Sequence, residues 1–157
     1  MRSAGGGRID RPRTLSFTFD GTGYQGFDGD TLASALVANG VRLVGRSFKL
    51  HRPRGLFAAG AEEPSAIVQL ETGAHTLPNL RATQVELYDG LSATSVNAWP
   101  SLTVDLWSIN SLLAPLLPAG FYYKTFMWPK SLWHAYESVI RRAAGLGRAP
   151  EQPDPDI

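Results

Sequence analysis

Residues 46–68 read RSFKLHRPRGLFAAGAEEPSAIV, and the behaviour of this stretch decides the fold around it. It opens with Arg46, Lys49, His51, Arg52 and Arg54. Pro53 fixes its own φ and disfavours helix at Arg52, so His51–Gly55 is expected as a stiff, extended loop. Cations held that close repel one another unless they fan out into water or meet an anion or a partner. Small residues follow, then the acidic step Glu62-Glu63-Pro64, whose carboxylates are expected to be solvated. Ala66–Leu70 (AIVQL) reads as a strand.

N-terminal to this stretch, Leu15, Phe17 and Phe19 alternate with Thr14, Ser16 and Thr18, the period of a half-buried strand. Asp20-Gly21-Thr22-Gly23 supplies turn chemistry, and Tyr24–Phe27 returns as the second arm of a hairpin. Gly21–Gly26 also fits the pattern GxGxxG. The nucleotide reading needs a helix opening at the third glycine, and Phe27-Asp28-Gly29-Asp30 is another turn. Some twenty residues on, where an acidic ribose ligand is required, stands Arg46. A hairpin is the better account. Asp30 or Thr31 can then cap a short helix with Leu32, Ala33, Leu36 and Val37 on its apolar face, stopped by Asn39-Gly40.

On the C-terminal side, Leu80–Leu87 and Leu91–Val96 read as two more strands with Asp89-Gly90 turning between them. Hairpin, helix, irregular loop and strands in that order suit an α+β domain of the β-grasp kind, one helix across a mixed sheet, over residues 14–98. Residues 1–13 lack periodicity and are expected as a flexible basic arm. Residues 99–147 form an aromatic-rich helical connector. It contains Phe121–Trp128 and a helix capped by Ser131, with Leu132, Trp133, Tyr136, Ile140 and Ala143 on one side and Gly145 at its end. Residues 148–157, rich in proline and acid, read as a linker to a following domain.

Composition narrows the function classes. At 43% hydrophobic residues the chain has material for a real core. The net charge of +1 hides an asymmetry: residues 1–54 carry nine Arg/Lys against four Asp/Glu, and the remainder carries six against ten. An oriented partner surface fits this better than a general polyanion binder. Cysteine is absent, which excludes disulfides and thiolate metal sites. No apolar run nears the roughly 20 residues of a membrane span, so a cytoplasmic protein without membrane or nucleic-acid partners is expected. His51, His75 and His134 have no metal-binding spacing, and no nucleophile elbow is present, so no catalytic residue and no metal ligand is assigned.

The element order resembles that of 2Fe–2S ferredoxin domains, whose loop carries cysteines as C-x4-C-x2-C with a fourth further on. Laid on the chain from Arg52 onward, that loop puts the ligand positions at Ala58, Glu63, Ala66 and Thr83. None is a cysteine, so the resemblance implies a cluster-binding scaffold that has lost its cluster. Four stretches, GGRIDRPRTLSFTFDGTGYQG (6–26), RSFKLHRPRGLFAAGAEEPSAIVQLETG (46–73), GFYYKTFMWP (120–129) and RRAAGLGRAPEQPDPDI (141–157), closely resemble the N-terminal part of the alpha subunits of heterotetrameric sarcosine oxidases. The resemblance implies a longer subunit, with beta, gamma and delta partners. It also implies an assembly using FAD, FMN, NAD and tetrahydrofolate to demethylate sarcosine oxidatively to glycine. No cofactor is expected on this chain alone, and no catalysis by it.

Two readings of the basic loop stay open. Lys49, His51, Arg52, Arg54 and Gly55 form either an anion or subunit-interface site, for a flavin phosphate or partner carboxylates, or a salt-bridged structural loop. Tyr122, Tyr123, Phe126 and Trp128 are interface candidates, balanced against packing under the last helix. A stand-alone binding module for nucleic acid or a partner protein is the alternative function.

Overall fold

The strand alternation beginning at Leu15 is borne out. In this computed structural model, which describes residues 8–116, 129–143, 147–153 and 155, Leu15, Phe17 and Phe19 point into the core. Their neighbours Thr14, Ser16 and Thr18 face outward. The strand, β1, runs Asp10–Phe19 and so begins inside the stretch expected as an arm. Asp10 pairs with Asp28, and the register slips between Asp10 and Thr14. Residues 1–7 lie outside the described residues.

Asp20 (φ 49) and Gly21 (φ 75) make the turn into β2 (Thr22–Asp28). Two consecutive left-handed residues give the twist that suits a tight hairpin. Helix α1 (Leu32–Ala38) starts at Thr31, whose hydroxyl accepts from Ser34 N, while Ser34 Oγ accepts from Thr31 N. It ends as expected at Asn39-Gly40: Gly40 N donates to Val37 O and Val41 N to Leu36 O. The buried face is Leu32, Ala33, Ala35 and Leu36, whereas Val37 is half exposed. A helix of seven residues is too short to stand on propensity. Full burial of Leu32 and Leu36, worth roughly 1.5–3 kcal/mol each, holds it in place.

Next come β3 (Gly45–Arg46) and β4 (Pro53–Arg54), a small antiparallel ribbon set apart from the main sheet. The remaining strands are β5 (Ile67–Leu70), β6 (Leu77–Arg81) and β7 (Ser92–Ser95). The main sheet has the order β2-β1-β7-β5-β6; β1 and β7 are parallel and the other pairs antiparallel. With α1 contributing its apolar face to the core shared by β1, β5 and β7, this is the expected α+β mixed sheet.

The strand expected over 80–87 is corrected. β6 ends at Arg81, and Ala82, Val85 and Leu87 are buried in a turn and an extended connector tied to the start of α1. Leu32 N donates to Val85 O, Ala33 N to Ala82 O and Leu87 N to Asp30 O. The apolar spacing that imitates a strand serves the underside of a helix N-terminus.

Beyond β7 the backbone makes 3-10 turns at Leu106–Ser111 and Ala114–Leu116. Another at Lys130–Leu132 leads into α2 (Trp133–Ala143). The expected stop at Gly145 lies outside the described residues. At the junction of the connector with the stretch read as a linker, Gly147 N donates to Asn79 Oδ1 and Arg148 N to Gln69 Oε1.

Candidate functional site

The 46–68 stretch divides into two structures back to back. In the first, β3 and β4 hold a hairpin. Val44 N donates to Arg54 O and Ser47 N to Arg52 O, with Phe48, Lys49 and Leu50 at the tip. His51 sits at φ 53, a left-handed turn where an extended backbone was expected, with its N–H on Ser47 O. That turn sends the imidazole inward. It is 2% exposed, with Nδ1 2.9 Å from Asp105 Oδ2. Arg46, also nearly buried, lies 3.5 Å from the same oxygen through Nε. Its guanidinium donates to Leu102 O and His51 O. The second carboxylate oxygen of Asp105 accepts from Trp99 N and Trp107 N. A buried carboxylate fully used in this way is costly to break, because each partner would be left without its own.

The five basic-loop candidates are therefore not brought together. His51 is internal and paired with Asp105, which answers to the structural-loop reading and not to an anion or interface site. Arg52 is exposed and Lys49 half-buried. Arg54 is half-buried and lines a cleft of about 380 Å³ with Ser47, Phe48, Pro64, Ser65 and Asn97. Gly55 is needed for close approach, since a Cβ there would lie 2.6 Å from Arg42 O.

The second structure is the loop Gly55–Ala66, wrapped around a side chain of its own. Glu63 is wholly buried, contrary to its reading as a solvated acid. Its Oε2 accepts from Phe57 N and Ala58 N, both at 2.7 Å. Its Oε1 accepts from Ser65 N at 2.8 Å and Ala66 N at 3.3 Å. Burial pushes the carboxyl upward, but the amides of Ala58, Ser65, Phe57 and Ala66 outweigh it and hold the group below the ordinary carboxylate range. From the other side, Thr83 Oγ1 donates to Gly60 O and Arg81 Nε to Glu63 O. Ala58, Glu63 and Ala66 thus belong to one small loop, and Thr83, seventeen residues beyond Ala66, to its brace.

Residues 12–98 match the family described as 2Fe-2S iron-sulfur cluster binding domain. The chain belongs to that family. Yet the residues of this 2Fe-2S family member do not fit a cluster. The chain has no thiolate to offer two irons. Among the described residues no group of three or more His, Cys, Asp or Glu could hold a metal ion. At the four positions where the resemblance expects ligands stand two methyl groups, a hydroxyl bonded to Gly60 O, and a carboxylate whose oxygens are occupied by amides.

Against curated proteins the chain is 62% identical over 96% of its length to the sarcosine oxidase subunit alpha of Rhizobium meliloti (strain 1021). It spans 15% of that relative's length. It is 46% identical over 57% of its length to the corresponding subunit of Corynebacterium sp. (strain U-96), of which it spans 10%. A solved structure, L-proline dehydrogenase from P. horikoshii, is 22% identical with a TM-score of 0.43, covering 59% of this chain and 17% of that one.

Sequence reasoning missed Asp105, the anchor of the buried pair, although a lone acid in the apolar run Leu102–Ile109 was a signal for it. It also missed a strip of exposed apolar side chains: Trp99, Val104, Leu106, Trp107, Ile109, Leu112 and Leu113 are each 43% to 78% exposed. The interface candidates Tyr122, Tyr123, Phe126 and Trp128 lie outside the described residues. No described helix is long and apolar enough to cross a membrane.

Proposed function

We propose that this domain is a non-catalytic docking element of a sarcosine oxidase alpha subunit, within an assembly that oxidatively demethylates sarcosine to glycine with tetrahydrofolate as one-carbon acceptor. The relatives' names and the small share of their length covered here support that setting. The observation that carries the docking role is the exposed strip Trp99–Leu113, fixed to the β-grasp body through Asp105. Large apolar side chains exposed this densely along the chain favour a protein contact. Its occupants would be the remaining alpha-subunit domains or the beta, gamma and delta subunits, in the cytoplasm. The FAD, FMN and NAD of the assembly would bind outside this chain. Arg52 and Arg54 serve partner carboxylates or a flavin phosphate at the same junction, since an arginine fork suits either.

Co-expression with the remaining alpha-subunit domains and the three partner subunits tests this. Leu106→Lys together with Leu112→Lys should lower recovery of the flavin-coloured assembly severalfold, while the variant domain keeps its wild-type melting temperature. Full flavin content and unchanged gel-filtration behaviour would refute the docking role.

A further inference from the structure

We propose that the carboxylate of Glu63 is a built-in anion that replaces, for the Gly55–Ala66 loop, the iron–sulfur group of cluster-binding members of the family. The loop presents two pairs of neighbouring amides, Phe57 with Ala58 and Ser65 with Ala66, to one point. Successive backbone N–H groups that converge in this way form an anion-binding concavity. Left empty, it would hold inward-facing, largely part-buried donors without acceptors, each costing more than an average hydrogen bond supplies. In a cluster protein the negative centre is sulfide and thiolate sulfur, which accepts hydrogen bonds from its loop. Here a side chain standing at one of the ligand positions swings into the centre of its own loop and supplies the charge. The loop conformation is thereby retained without metal. A scaffold without these cysteines need not unravel, because the converging amides have an internal partner.

This makes Glu63 an anion first and a packing group second, and the two roles separate by chemical rescue. Glu63→Ala opens a space the size of a small carboxylate within the four amides. The variant chain should melt about 10 °C lower than wild type. Sodium acetate or formate should recover a substantial part of that loss, and sodium chloride at matched ionic strength should not. No carboxylate-specific recovery would overturn the proposal. If Glu63→Ala does not fold, Glu63→Gln keeps the shape, removes the charge and turns one acceptor into a donor. Amide hydrogen exchange should then accelerate at Phe57, Ala58, Ser65 and Ala66 more than elsewhere. Exchange at those four positions equal to wild type would likewise overturn it.

Discussion

Glu63 also sets how this domain responds to acid. Its carboxyl titrates below its ordinary value of 4.5 because four amides favour the charged form more than burial opposes it. A depressed folded value means the unfolded chain takes up the proton first. The stabilisation is therefore complete above the ordinary carboxylate range and disappears as pH falls through the lower folded value. Arg81 Nε donates to Glu63 O, and Glu62, next in the chain, is exposed. At neutral pH Glu63→Gln should cost about 3 kcal/mol in urea unfolding, since at least one amide loses its acceptor and meets a donor instead. The gap between the two proteins should narrow as the buffer is taken below pH 4.5, and a constant gap would sink this account. The reverse substitution is as informative. With Ala58, Glu63, Ala66 and Thr83 all changed to Cys, anaerobic iron and sulfide should give a coloured, iron-containing chain. A colourless product with free thiols would mean the loop does not hold the shape a cluster needs.

At the level of elements, β3, β4 and the Trp99–Trp107 segment stand or fall together through Asp105. Asp105→Ala would leave Arg46 and His51 buried without their carboxylate, at a cost of about 3–5 kcal/mol. The loss should show as earlier proteolytic cleavage between residues 99 and 113, with β1 and β2 still protected in hydrogen exchange. Simultaneous loss of both regions would mean the clamp belongs to the global core. How much of this could be read beforehand depends on the range of the interactions. The β1–β2 hairpin, α1 and its Gly40 stop, and strand β5 were legible, because alternation, capping and turn residues act over a few positions. The Leu80–Leu87 strand failed because burial under a helix start yields the same apolar spacing as burial in a sheet. The sequence puts Glu63 in water, and leaves His51 between an interface site and a structural loop, because their partners are not sequence signals. One is an aspartate 54 residues away, the other a set of backbone amides. Composition alone made the missing cluster legible, but not what fills its place.

For the molecule as a whole, the question is why a domain with a well-formed core leaves so much apolar surface uncovered. Leu112 is 78% exposed and Val104 61%, while Leu32, Leu36 and Leu91 are fully enclosed, so the protein has not run short of interior. Single exposed leucines are ordinary, but seven large apolar side chains exposed within fifteen residues of chain are more than water favours. Covering it by self-association is the outcome open to the chain alone. In light scattering the isolated domain should grow in mass with concentration and remain so in high salt, because salt screens ion pairs and strengthens apolar contacts. Leu106→Lys with Leu112→Lys should return it to a monomer at an unchanged melting temperature. The exposed pair Arg13–Asp28, at 3.0 Å, offers the control, since its removal should alter neither mass nor stability by a measurable amount. Association that dissolves in salt would instead assign the contact to the basic hairpin, with Arg52 and Arg54 as the residues to change next.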